Sequence, residues 1–158
     1  MRILGIDPAL KITGYGLIEF KNNKISLIKA GAVITSAREA LPQRLDKIYG
    51  AVSDLISSAA MDVMVLEKIY VHYHHPTTAF LLGQARGIIC LACAKGNIPL
   101  IEYSATRVKK AIVGKGSASK DQVQKMVLSM LNLKALPKYA DVTDALALAI
   151  SYTNIIRY

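Results

Sequence analysis

The chain contains no tryptophan, two phenylalanines, two cysteines and five prolines in 158 residues, and only eleven Asp and Glu against twenty Lys and Arg. Each shortage excludes something. Two cysteines are too few for a disulfide-stapled scaffold, and both, Cys90 and Cys93, sit in the apolar run IICLACA. Zinc would need further ligands, and a redox C-x-x-C pair a polar, accessible setting, so they read as buried structural thiols. No apolar run approaches the roughly 20 residues that cross a bilayer. Asp7 also interrupts the opening apolar stretch too early for a secretory signal. The expectation is a cytoplasmic protein without a membrane span. Apolar residues nevertheless make up 53% of the chain, enough for a core and against disorder. With no repeat, linker or low-complexity tract in sight, residues 1–158 are expected to form a single domain.

What is abundant is positive charge: the net charge is +9 and the pI near 9.6. Such an excess favours a polyanionic partner, nucleic acid or an acidic surface. Hydrophobic patterning supplies the architecture. Residues 2–6, 15–20 and 25–35 read as strands of an antiparallel meander, with Gly14 and Gly16 shaping the turn after the first and KNNK turning the second into the third. Leu41, Leu45, Ile48, Tyr49, Val52, Leu55 and Ile56 share one face of a helix over residues 41–57. Residues 63–66 are a short apolar run fit for a strand covered on both faces. A helix over 77–95, stopped by Gly96-Asn97, and a fifth strand over 98–101 follow. Three helices complete the chain, over 105–113, from a Ser119/Gln122 capping box to 131, and over 140–155. Strands alternating with helices after a meander give an α/β fold with a mixed five-stranded sheet and helices on both faces.

The few acids can be placed one by one. Asp7 and Glu67 each end an apolar strand. Asp141 and Asp144, at i and i+3 in YADVTDALALAISY, lie on one face of the last helix with Cβ atoms roughly 5–6 Å apart. Alone, that pair reads as favourable charge at a helix N-terminus. Grouped with Asp7 and Glu67, four carboxylates raise one another's proton affinity, and a cation between them relieves this. Oxygen ligands select Mg²⁺ or Mn²⁺ over zinc, and two such ions serve phosphodiester hydrolysis. Glu102 also falls at a strand end and remains a rival for the same role.

The segments GIDPALKITGYG, VLEKIYV, LGQARG, RVKKAIVGKGSASKDQVQ and YADVTDALALAI, in that order, make the chain resemble the RuvC family of Holliday junction resolvases over nearly its whole length. The resemblance implies a ribonuclease H-like fold and a homodimer. It also implies a crossover junction endodeoxyribonuclease that uses Mg²⁺, two ions per site with Mn²⁺ as a substitute, to nick two strands symmetrically. It makes Asp7, Glu67, Asp141 and Asp144 the catalytic and metal-binding carboxylates and leaves Glu102 out. It implies a four-way DNA junction as substrate in recombination and repair, and RuvA–RuvB branch-migration proteins as partners.

Between Glu102 and Asp121 there is no acid, yet Arg107, Lys109, Lys110, Lys115 and Lys120 occur around a GKGS break, a segment suited to phosphate contacts. The resemblance assigns DNA binding to Lys109 and Lys120 in particular and brings Lys120 to the scissile phosphate. It also places Tyr70 where family members stack an aromatic on a base. His72, His74 and His75 lack the spaced partners a metal would need and read as a polar loop. Gly83 and Gly87 allow close backbone approach, either to the sheet or across a dimer contact. Ala9 stands where the family usually has glycine, so no left-handed residue is required there; Lys68 replaces a commonly uncharged residue. Two other readings are open: a junction-binding protein without catalysis, and an actin-like ATPase or sugar kinase, for which the chain is too short.

Overall fold

The computed structural model describes residues 1–68 and 76–156, without the side chains of Pro76 and Thr78. Its elements are β1 (Arg2–Asp7), β2 (Ile12–Lys21), β3 (Lys24–Ile34), α1 (Leu41–Ser58), β4 (Val63–Glu67), α2 (Pro76–Lys95), β5 (Leu100–Tyr103), α3 (Ala105–Val113), α4 (Lys120–Met130) and α5 (Ala140–Ile156). The five strands form one sheet in the order β3-β2-β1-β4-β5. β1, β2 and β3 pair antiparallel, and the turn between β2 and β3 is made by Asn22 and Asn23, both at positive φ (52° and 59°). Two left-handed residues in a two-residue loop match the twist of the strands they join, and asparagine tolerates that conformation. β4 and β5 add in parallel beside β1.

Alternation along the central strands divides the core in two. Ile3, Ile18, Val63 and Val65 pack with α3, α4 and α5, whereas Leu4, Ile6, Leu17, Met64 and Leu66 pack with α1 and α2. Because strand side chains alternate, Asp7 and Glu67 project to the same face as Ile3, Val63 and Val65. That is the face α5 covers. α5 is buried along most of its length, from Val142 to Thr153, so its first turn is fixed against the sheet.

Gly5 and Gly14 are what let it sit there. A Cβ on Gly14 would lie 2.1 Å from the Asp141 carbonyl oxygen, and one on Gly5 2.0 Å from that of Ala145. The sequence reading gave Gly14 and Gly16 to the turn after β1; the structure puts both inside β2, where their missing side chains make room for the helix. The turn itself is closed by Thr13, whose hydroxyl donates to the Ala9 carbonyl at 2.6 Å, and Ala9 has no positive φ.

The fifth strand starts two residues later than expected. Asn97 is the left-handed residue (φ 53°), and the Ile98 N–H bonds the Cys93 carbonyl at 3.0 Å while Asn97 N–H bonds Ala94. This is a Schellman closure, and Ile98 is its apolar follower rather than a strand residue. In consequence Glu102 lies within β5, not at its end. α4 begins at the expected capping box, with Ser119 and Gln122 bonded reciprocally at 2.9 and 3.2 Å. Among the described residues nothing lies within 4 Å of where a Cβ would stand on Gly83 or Gly87, so packing on the chain's own sheet is excluded for them. Both lie on an outward face of α2 with Phe80, which is 67% exposed, and Leu91. Cys93 is buried and donates its thiol to the Ile98 carbonyl; Cys90 is partly buried, and both are free. No helix among the described residues is long and apolar enough to cross a membrane.

Candidate active site

The parallel strands β1 and β4 end side by side, with Ile6 paired to Leu66, so Asp7 and Glu67 leave the sheet at neighbouring points on its α5 face. Asp7 is also paired with Gly14, the residue pressed against the first turn of α5. This brings Asp141 and Asp144 over the ends of the two strands. Ligand sites in open α/β sheets lie characteristically at these carboxyl ends of strands. The first turn of α5 also presents the positive end of its helix dipole here.

The electrostatics show that the carboxylates share one field. The carboxyl of Asp7 is raised from its ordinary 3.8 to about 7, chiefly by burial and then by Asp144, Asp141 and Glu67, with Lys120 opposing. Burial likewise raises Glu67, with Asp144 adding and Lys109 and Lys120 opposing. Burial penalises a charged carboxylate, and a like charge nearby compounds it. A direct cation contact comes from α4: Lys120 Nζ donates to Asp144 Oδ2 at 2.7 Å, which holds the ammonium well protonated.

Glu67, Asp144, Lys109 and Lys120 line a cleft of about 210 Å³, floored by Val108, Val123, Ala147 and Leu148. Arg107 and Lys110 lie beside a second hollow, against Gly114 and Asn154 near the end of α5. Arg107 is also placed over the Tyr103 ring, 4.8 Å from its centroid. Lys115 is exposed in the link between α3 and α4. Of the expected DNA-contact residues, then, Lys109 and Lys120 reach the carboxylates, while Arg107, Lys110 and Lys115 extend the cationic surface outward. Tyr70, His72, His74 and His75 lie outside the described residues.

Glu102 is committed elsewhere. It forms an ion pair with Arg86 of α2, and Arg86 Nη1 also donates to the Glu67 carbonyl at 2.8 Å. The reading of the residues alone missed Arg86; the only signal was its place in LGQARG, one helix beyond Glu67.

The donor set fits a hard divalent cation. All four candidate ligands are carboxylates, Asp7 and Glu67 hold their protons more tightly than usual because of burial and their acidic neighbours, and a lysine ammonium has taken one oxygen of Asp144. Among the described residues no three acidic, histidine or cysteine side chains are already gathered around one ion-sized point. The carboxylates are in electrostatic contact, but not closed.

A sequence model of the family described as crossover junction endodeoxyribonuclease RuvC matches residues 3–152. The chain belongs to the RuvC family. It is 43% identical over 148 residues to the RuvC of Rhodopirellula baltica, covering 94% of this chain and 83% of that one. It is also 43% identical over 154 residues to the RuvC of Clostridioides difficile, covering 98% and 90%. Among solved structures, Thermus thermophilus RuvC in complex with a Holliday junction substrate superposes with a TM-score of 0.93 at 28% identity, over 99% of this chain and 95% of that one. The fowlpox virus Holliday junction resolvase, at 19% identity and a TM-score of 0.60, shares the fold. The sheet order and flanking helices are thus those of the ribonuclease H-like RuvC enzymes.

Proposed function

We propose that this protein resolves Holliday junctions in DNA recombination and repair by paired, symmetrical nicks that leave 3′-hydroxyl and 5′-phosphate ends. The observation that carries the reading is the meeting of Asp7, Glu67, Asp141 and Asp144, from β1, β4 and α5, beside Lys120 and Lys109. The four carboxylates would hold Mg²⁺, two ions per site with Mn²⁺ as a substitute, which would supply Lewis-acid charge at the scissile phosphate.

The chain's own residues do the remainder. Asp7, anchored by the buried strand before it, accepts a cation in place of the proton its surroundings favour. Lys120 turns its ammonium from Asp144 to a non-bridging phosphate oxygen, where negative charge develops as water attacks in line. Lys109 holds an adjacent phosphate, and Arg107, Lys110 and Lys115 track the backbone away from the cut. Tyr70 stacks on a base at the crossover.

Residues 1–158 act as one nuclease domain, in the cytoplasm. A homodimer matches the two-fold symmetry of the junction, and the outward face of α2 with Phe80, Gly83, Gly87 and Leu91 supports such pairing. The RuvA–RuvB branch-migration complex is its partner. A synthetic four-way junction in Mg²⁺ tests the reading, with wild type compared to Asp7→Asn. Wild type is expected to nick and Asp7→Asn to bind without nicking. A wild type that binds but never nicks would make the protein a junction binder only. An Asp7→Asn variant cutting at the wild-type rate would move the site elsewhere.

A further inference from the structure

We propose that Arg86 is a positioning residue for Glu67, held in that task by Glu102; the inference rests on the nuclease reading above. The peptide that links Glu67 to Lys68 is where β4 leaves the sheet. Its N–H, from Lys68, bonds the Tyr103 carbonyl of β5 at 2.8 Å. A trans peptide points its carbonyl away from its N–H, so the Glu67 carbonyl turns toward the β1 side. Continuing the register of Ile6 with Leu66 by two residues brings Pro8 there, and proline has no N–H to offer. The β ladder therefore cannot supply the donor, and a buried carbonyl without one is costly. Arg86 supplies it, with Nη1 at 2.8 Å.

A guanidinium so placed needs a counter-charge, because its side chain is only 13% exposed. Glu102, on the next strand, provides it. Both polar groups of the peptide are thus pinned, one by β5 and the other by α2, and the Cα of Glu67 is fixed between them. The carboxylate of Glu67 then projects from a rigid point toward Asp144, while Arg86 never enters the cleft that Glu67 lines. Pro8, which ends β1 immediately after Asp7, and Arg86, which repairs the ladder that Pro8 breaks, set two of the four carboxylates from opposite sides.

The test compares wild type with Arg86→Met, Arg86→Lys and Glu102→Gln. Mn²⁺ affinity of the free protein is read by calorimetry, the Mg²⁺ dependence of nicking by junction cleavage, and folding by thermal melting. Loss of a group that orients a metal ligand typically weakens metal binding or activity by about 10–100-fold. Arg86→Met is therefore expected to weaken Mn²⁺ binding about tenfold and to raise the Mg²⁺ needed for half-maximal nicking in parallel. Junction binding in EDTA is expected to stay at the wild-type level. Arg86→Lys, which keeps one donor, and Glu102→Gln, which keeps the arginine, are expected to recover most of the ion affinity. If both Arg86 variants bind Mn²⁺ and respond to Mg²⁺ as wild type does, the positioning role is wrong. It is equally wrong if melting and junction binding fall while ion affinity among the folded molecules is unchanged, since a merely structural residue would behave so. Failure of the nuclease reading looks different, because wild type itself would then not nick.

Discussion

Asp7→Asn removes one carboxylate from the site and should make the metal-free protein more stable at alkaline pH while abolishing nicking. The carboxyl of Asp7 lies near 3.8 in an unfolded chain and near 7 in the fold, because burial and its three acidic neighbours oppose its charge. A folded-state value above the unfolded one means that the native state holds the proton more tightly. Below about pH 4 Asp7 is protonated in both states and costs nothing. Between pH 4 and 7 the unfolded chain ionises first, and stability is lost progressively; above pH 7 the loss is complete. At 1.36 kcal/mol per pH unit, about 3 units correspond to roughly 4 kcal/mol, and solvent screening brings this to about 2–4 kcal/mol. Asparagine keeps the shape without the charge. In EDTA at pH 8 the variant should therefore melt about 5–10 °C above wild type, given roughly 2–4 °C per kcal/mol for a chain of this size. At pH 4 the two should melt together. Adding Mg²⁺ at pH 8 should raise the wild type and leave the variant nearly still, because a ligand stabilises only the state that binds it. Thermal melts monitored by circular dichroism at the two pH values, with and without Mg²⁺, give all four numbers. A variant no more stable than wild type at pH 8, or a difference equal at both pH values, would refute the claim that Asp7 sits in an uncompensated acidic site.

Other perturbations probe the parts around it. Gly14→Ala places a methyl 2.1 Å from the Asp141 carbonyl oxygen. It should cost about 1–3 kcal/mol in denaturant unfolding and lower the nicking rate as the first turn of α5 is displaced. Lys120→Ala removes the cation at Asp144. It should reduce the single-turnover cleavage rate about 100-fold and junction affinity far less, and equal losses in both would reduce Lys120 to a backbone contact. Lys110→Ala, outside the cleft, should leave single-turnover cleavage unchanged at saturation and lower the salt slope of junction binding by about 1. Ser119→Ala breaks the capping box of α4 and should cost about 1 kcal/mol, measured by urea unfolding.

Much of this arrangement is visible in the residues alone, for identifiable reasons. Period-two alternation in β1 and β4 identifies the strands and, by parity, the face on which Asp7 and Glu67 emerge. The capping box and the apolar run after Asp144 locate α4 and α5. The grouping of the four carboxylates follows from the family resemblance rather than from spacing, since spacing in a sequence does not measure distance between elements. The glycines of GIDPALKITGYG were misread because a glycine serves a turn and a close approach equally well, and only the packed helix tells which. The late start of β5 has a similar origin: Ile98 is apolar as a strand residue would be, but it closes a helix. Glu102 could not be separated from the site while it seemed to end a strand. Its partner Arg86 comes from a helix sixteen positions earlier, a contact that no local pattern announces.

The most direct test of the central claim is Mn²⁺ anomalous diffraction from crystals of this protein with a four-way junction, using the slow-cutting Lys120→Ala variant to preserve the substrate. The account predicts anomalous density between the carboxylates of Asp7, Glu67, Asp141 and Asp144, touching a junction phosphate. Mn²⁺ density at Glu102 or elsewhere, with the four carboxylates bare at saturating Mn²⁺, would contradict it.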